Sequence, residues 1–135
     1  MARSNVDIVR DSFETLAVQG VDGFLEYIHP DFVSVAPPEL SVEPQTYRGH
    51  EGVKRWFDLW YEAVDEVRLE PEEIIDAGEK VVVPLRIVVR GHDSGIEVGQ
   101  SLTWVSTLRD GLVVHMETYA SKEAALQALG MNVES

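Results

Sequence analysis

The spacing of hydrophobic positions changes period along this chain. Near the N-terminus Val6, Val9, Phe13, Leu16 and Ala17 recur at helical spacing. They predict a first helix from Asn5, as its N-cap, to about Val18, with Gly20 stopping it. Asp22 predicts the cap of a short second helix whose apolar side is Phe24, Leu25 and Ile28, broken by His29-Pro30-Asp31. Phe32–Ala36 reads as a strand running into Pro37-Pro38, and Pro37–Arg48 as a long loop rich in Pro, Glu and Ser that suits a mobile flap. Gly49 opens a third helix over about Glu51–Val64, where Val53, Trp56, Phe57, Trp60 and Val64 make a broad apolar stripe. Beyond it the period falls to two. Val67–Ala77, Lys80–Arg90, Ile96–Leu108 and Leu112–Tyr119 read as strands, and Ala120–Leu129 as a closing helix capped by Ser121 and ended at Gly130.

Helices segregated from a run of strands define an α+β class with an antiparallel sheet. Asp110-Gly111 between two alternating runs is a hairpin signal, because Gly accepts the left-handed backbone of such turns. Register decides which side chains point inward. A three-residue turn pairs Leu108 with Leu112 and Trp104 with Met116. Val98, Gln100, Leu102, Trp104, Ser106, Val114, Met116 and Thr118 then share the bulkier, more apolar face, the expected interior. Glu97, Ser101, Thr103, Val105, Thr107, Val113, His115, Glu117 and Tyr119 share the other. A two-residue turn is the competing register and brings His115 and Glu117 to the face of Trp104. Arg86 is open as well. Pairing across Gly91–Gly95 sets it beside Gln100 inside, whereas the alternation of Val81, Val83, Leu85, Ile87 and Val89 sets it outside.

Composition narrows the function classes. A chain of 135 residues has room for one domain over 1–135 with one sizeable core. No apolar run approaches the roughly 20 residues that span a bilayer, and the start MARSNVD lacks the apolar segment of a signal peptide, so a cytoplasmic location is expected. The absence of cysteine removes disulfides, thiolate catalysis and zinc-thiolate sites. A formal charge of −13 opposes nucleic acid and anionic lipid as partners. No phosphate-binding glycine loop, nucleophile elbow or metal-spaced His/Asp/Glu cluster is present, so no cofactor and no metal are expected.

Several short motifs occur in a telling order. They are Tyr47-Arg48-Gly49-His50-Glu51-Gly52-Val53 before a Trp-rich helix, Ser94-Gly95-Ile96-Glu97-Val98, Arg109-Asp110-Gly111, Glu117-x-Tyr119 and Glu123-Ala124-Ala125-Leu126. Together they resemble the SnoaL-like branch of the nuclear-transport-factor-2-like superfamily over nearly the whole chain. The resemblance implies a cone, in which a curved antiparallel sheet is wrapped by N-terminal helices around an internal cavity. Its members include a steroid isomerase, polyketide cyclases, a limonene-epoxide hydrolase and binding or assembly domains without catalysis, so fold does not choose function. The isomerase's aspartate base aligns with Ala36, its first-helix Tyr with Ser12 or Phe13, and its late-strand acid with Trp104. The hydrolase's last water-activating Asp aligns with Thr118. Both constellations are broken here, and without a carboxylate base nothing takes the substrate's proton.

The leading expectation is a cavity protein for a small, largely apolar organic molecule, lined by Tyr27, Trp56, Trp60, Gln100, Leu102, Trp104, Met116 and Thr118. Its enzymatic form is cofactor-free acid–base isomerisation, cyclisation or hydration, with His50, Tyr47 and Arg86 as polar candidates. The alternative is a non-catalytic dimerisation or assembly domain. A homodimer is expected through the convex sheet face at Val105, Thr107, Val113, His115, Glu117 and Tyr119, as in the family it resembles. His29 and His92 read as surface or capping residues, and Glu39 and Glu43 as solvated.

Overall fold

The structure, a computed structural model, describes residues 4–35, 46–92 and 95–131. Helix α1 is Asn5–Gln19, one residue longer than its apolar pattern. Its cap is Ser4, not Asn5: the Ser4 hydroxyl accepts the Asp7 N–H at 3.1 Å. Helix α2 is Val21–Phe24, entered without a side-chain cap, and a 3₁₀ turn at Leu25–Tyr27 follows. The chain then becomes extended earlier than predicted, as β1, Ile28–Val35, with His29-Pro30 inside the strand. Strand β2 (Tyr47–Arg48) leads directly into α3 (Gly49–Ala63).

The long strand predicted over Val67–Ala77 is two pieces, β3 (Glu66–Pro71) and β4 (Ile75–Ala77). Both pair antiparallel with β5 (Lys80–Arg90), on either side of a loop that begins after Pro71. Pro71 has no N–H to extend a ladder, and a strand end tolerates it. Strands β6 (Glu97–Arg109) and β7 (Leu112–Tyr119) form the long hairpin, and α4 (Lys122–Ala128) closes the described chain. The Ser121 hydroxyl caps α4 by accepting the Ala124 N–H at 3.1 Å.

Strand order across the sheet is β2-β1-β7-β6-β5-β3, with β4 also on β5. All neighbours are antiparallel except β1 and β7, which run parallel, so the sheet is mixed where local reading gave a purely antiparallel one. That pair joins segments about eighty positions apart, beyond the reach of local alternation. The sheet is curved and unclosed. Edge strands β2 and β3 nevertheless line one pocket, through Tyr47 and Leu69.

The β6–β7 hairpin combines both registers considered from the sequence. Its tip is the two-residue turn, with Arg109 paired to Leu112 and Asp110 and Gly111 at φ 54° and 78°. Positive φ at both central positions is the geometry that suits a twisted hairpin. Past the tip a bulge at Val114 shifts the ladder by one, so Trp104 pairs with Thr118 and Ser106 with Met116. Facing is therefore that of the three-residue reading, with Trp104, Met116 and Thr118 inside, although each pairing is displaced. Val113 is the exception: it turns inward into the main core.

Two cores result. The main one lies between the concave sheet face and α1, α2 and α3, and contains Val9, Phe13, Phe32, Phe57, Leu85 and Trp104. A smaller one lies on the outer face, where Ala125 and Leu126 of α4 cover Val82 and Val105. No helix among the described residues is long and apolar enough to cross a membrane.

Candidate functional site

A pocket opens inside the concave face. Helix α3 supplies Gly52, Val53, Trp56, Phe57 and Trp60, because an apolar stripe at helical spacing must face the sheet. Strand β6 supplies Gln100, Leu102 and Trp104, and β7 supplies Met116 and Thr118, alternate residues of one pleat. Strands β1 and β2 add Ile28, Phe32, Ser34 and Tyr47; Phe24, Leu69 and Ile87 complete the wall. All three tryptophans of the chain are here.

The aromatic groups are locked together. Trp56 meets Phe57, Trp60 and Trp104 edge to face at centroid distances of 5.0, 6.0 and 5.9 Å. Phe13 of α1 stacks on Trp104 at 6.2 Å. Such pairs add rigidity beyond their buried area. The internal volume is about 50 Å³, measured to the centres of water-sized spheres.

Polarity is sparse and uncharged. Ser34, Tyr47, Gln100 and Thr118 bring hydroxyls and one amide to the wall, with Gln100 at the exposed rim. Trp60 brings an indole N–H that is buried and finds no acceptor among the described residues. No Asp, Glu, His, Lys or Arg among the described residues lines the pocket. The described residues also bring together no group of three or more Asp, Glu or His of a kind that holds a metal ion.

Of the residues singled out from the sequence, the structure brings Tyr47, Trp56, Trp60, Gln100, Leu102, Trp104, Met116 and Thr118 to this one pocket. Three others lie elsewhere. Tyr27 borders a separate surface depression with Asn5, Ile8 and Leu112, and its hydroxyl accepts from Thr15 at 3.2 Å. His50 is turned away to Ile28, whose carbonyl lies 2.8 Å from its Nε2. A carbonyl only accepts, so this nitrogen carries a proton and ties the start of α3 to the start of β1. Arg86 is exposed on the outer face, its guanidinium lying over Gly99 and its backbone paired with Ser101 rather than Gln100. Pairing β5 with β6 one residue out of the guessed register removes Arg86 from the interior, as the apolar alternation had suggested. Phe24, Ser34, Leu69 and Ile87 were not singled out as wall residues, because their positions follow from the tertiary path of α2, β1, β3 and β5. Ala36, Glu39, Glu43, Ser94 and most of the flap lie outside the described residues.

The outer face is where charge collects. Arg68 of β3 donates to Glu66 at 2.6 Å and to Glu70 and Glu97 at 3.2–3.3 Å. These bonds raise the guanidinium above its ordinary range and hold the Glu97 carboxyl below its own. On β7 the Tyr119 hydroxyl donates to Glu117 at 2.8 Å, and His115 Nδ1 lies 3.8 Å from the same carboxylate. Burial, then Glu117, pushes the Tyr119 phenol up. His115 and Glu117 thus share the outer face and are absent from the pocket. Two members of the expected dimer patch are already used by the chain itself: Val105 lies under α4, and Val113 faces inward.

A helix-backed curved sheet holding an apolar pocket defines the class, and the sequence agrees. The SnoaL-like domain family matches residues 9–116, and the chain belongs to that family. No curated protein matches it in sequence. Among solved structures, TerC, co-crystallized with polyporic acid, is 25% identical, covers 93% of this chain and 98% of its own, and superposes with a TM-score of 0.75. An NTF2-like protein of unknown function from Burkholderia pseudomallei is 24% identical, with 94% and 98% covered and a TM-score of 0.74. A Mycobacterium tuberculosis protein in complex with estradiol-17beta-hemisuccinate is 16% identical, with 90% and 97% covered and a TM-score of 0.71. The last two share the fold.

Proposed function

We propose that this SnoaL-like protein binds a small, largely apolar, ring-containing organic molecule in the pocket between α3 and the concave sheet face. One observation carries the reading: three tryptophans and a few uncharged polar groups converge on one internal pocket. Pockets of that kind use apolar walls for affinity and sparse polar groups for orientation. Polyporic acid and an estradiol ester, the molecules in two structures of this fold, are multi-ring and mostly apolar, which supports the same class for this chain. Trp56, Trp60, Leu102, Trp104 and Met116 form the apolar wall in this reading; Gln100, Thr118 and Tyr47 set orientation. Tyr47 is the one titratable side chain of the wall among the described residues, so binding leads the proposal and Tyr47 is the candidate there for an acid–base step.

We also propose that two copies associate through the outer sheet face, now narrowed to the strip beside α4. Its support is Val35, 42% exposed and paired with Glu117, next to half-buried His115 and Tyr119.

Because every tryptophan lines the pocket, ligand entry must alter their emission. Steroid, terpene and aromatic polyketide compounds are to be titrated against intrinsic fluorescence and screened by thermal shift. Saturable quenching with a raised melting temperature is the expected result. A panel in which no ring compound does either would remove the pocket as a binding site.

A further inference from the structure

The apolar side of the concave face does not stop where the pocket does. Leu69 of β3, Ile87 of β5 and Gln100 of β6 are paired across the sheet, and all three line the pocket. Side chains two residues apart on a strand point the same way. The next row on this face is therefore Val67, Val89 and Val98, again paired across the three strands. Val67 and Val89 are half-buried and pack against the main core, whereas Val98 is 59% exposed. The Asp65 N–H, just past α3, donates to the Arg90 carbonyl at 2.8 Å, which brings the helix end to this end of the sheet. The other edge of β6 is open here. Its ladder to β7 ends at Thr103 and Tyr119, and no strand among the described residues flanks Glu97–Leu102 on that side. Past Gln100 the pocket wall thus continues as an apolar row, covered at Val67 and Val89 and bare at Val98.

The row selects its occupant. It offers three branched aliphatic side chains and no polar side-chain atom. The charged residues at this end, Glu66, Arg90 and Glu97, form the following row, which points to the opposite face and joins the cluster around Arg68. A charged or hydrogen-bonding substituent laid on the valines would give up water and gain no partner. A hydrocarbon chain would take its own apolar area and that of Val98 out of water together. From Gln100 to Val98 the strand advances about 7 Å, the reach of a short chain. With one bare residue at an open strand edge, the row seats a chain rather than another ring system. Continuity points to a small molecule as the occupant, because Gln100, a wall residue of the pocket, is the next side chain on the same face.

We propose, resting on the pocket reading above, that the ligand carries an uncharged alkyl chain, which leaves the pocket past Gln100 and lies across Val89 and Val98. The test uses para-alkylphenols from methyl to hexyl, which lengthen one chain on a constant ring, with affinities read by calorimetry. In the wild type each methylene that reaches the row should tighten binding roughly twofold, half the free energy of full burial, because one side of the chain stays in water. Val98→Asp puts a carboxylate on the row and should flatten that gain. Val18→Asp, at an 84% exposed position on α1, adds the same charge elsewhere and should leave the series unchanged. Methyl NMR of the wild type, with Val98 identified from the spectrum of Val98→Thr, should show the Val98 methyls moving with the hexyl compound and not with the methyl one. That shift is read in the unaltered chain, so it stands even if Val98→Asp fails to fold. An undiminished gain in Val98→Asp, or no gain with length in the wild type, would overturn this inference while leaving the pocket reading intact. So would unmoved Val98 methyls. So would a Val98→Asp variant that turns a dimer into a monomer with the length series unaltered, since the row would then be a protein contact. Absence of binding by every alkylphenol and by the wider ring panel would take down the pocket reading and this inference with it.

Discussion

Trp56 of α3 meets Trp104 of β6 edge to face, with ring centroids 5.9 Å apart and planes inclined at 73°. Trp104 is also stacked on Phe13, so one side chain joins two helices to the sheet. It is 5% exposed, whereas Trp56 is only half-buried. Replacing a buried Trp by Ala typically costs about 3–5 kcal/mol. Trp104→Ala should fall in that range, and Trp56→Ala should cost clearly less. Urea denaturation of both variants checks the order; equal losses would mean that Trp104 is not the keystone of this core.

Two glycines answer differently to the same added methyl. A Cβ at Gly99 would meet the Arg86 guanidinium at 1.9 Å, but that is the far end of a flexible, exposed side chain and swings aside. A Cβ at Gly52 would lie 2.9 Å from the Tyr47 carbonyl carbon, which is backbone. Alanine is worth about 1 kcal/mol over glycine inside a helix, yet overpacking costs about 1–3 kcal/mol. Gly52→Ala should therefore lose stability, by up to roughly 2 kcal/mol net of that propensity gain, and displace Tyr47 at the pocket. Gly99→Ala should stay within about 0.5 kcal/mol of the parent. Thermal melts of the two variants separate these outcomes.

His92, in the loop after β5, is bonded to Asp65 and reaches toward the Glu62 carbonyl. The Asp65 carboxylate first, then that carbonyl, raises the imidazole above its ordinary value. A raised folded value means that the contribution is complete below about pH 6.5, the unfolded value, and is lost as pH rises through the folded one. Both groups are exposed, so the effect on stability is small and is best read on the imidazole itself. NMR titration should place His92 above a solvated histidine, and Asp65→Asn should bring it down. An unchanged titration in Asp65→Asn would show that the contact does not persist in solution.

Neither a β,γ-unsaturated ketosteroid nor limonene epoxide should be turned over appreciably. Thr118, which the family resemblance aligns with the epoxide hydrolases' acid, lines the pocket, and no carboxylate or imidazole among the described residues does. A general base contributes roughly 10²–10⁴-fold, so rates should fall at least about a hundredfold below the authentic enzymes. Direct assay decides this; a rate within tenfold would show that another residue supplies the missing base.

Much of this protein was already fixed by side-chain periodicity. The stripe from Val53 to Trp60 and the alternation from Gln100 to Trp104 specify which faces must be buried, because apolar area leaves water whatever the wider fold. Asp110-Gly111 specified the hairpin, and Ser121 and Gly130 bracketed the last helix, since caps and turns are local chemistry. Other features needed distant chain segments. The bulge at Val114 let a two-residue turn coexist with an inward Thr118, a compromise between turn geometry and burial that neither demand reveals alone. The parallel pairing of β1 with β7, the removal of His50 to the Ile28 carbonyl and the outward turn of Arg86 depend on which strands become neighbours. So does the unpaired Trp60 N–H: sequence puts the indole on the buried face, but only the packed structure decides that no acceptor among the described residues is there to meet it.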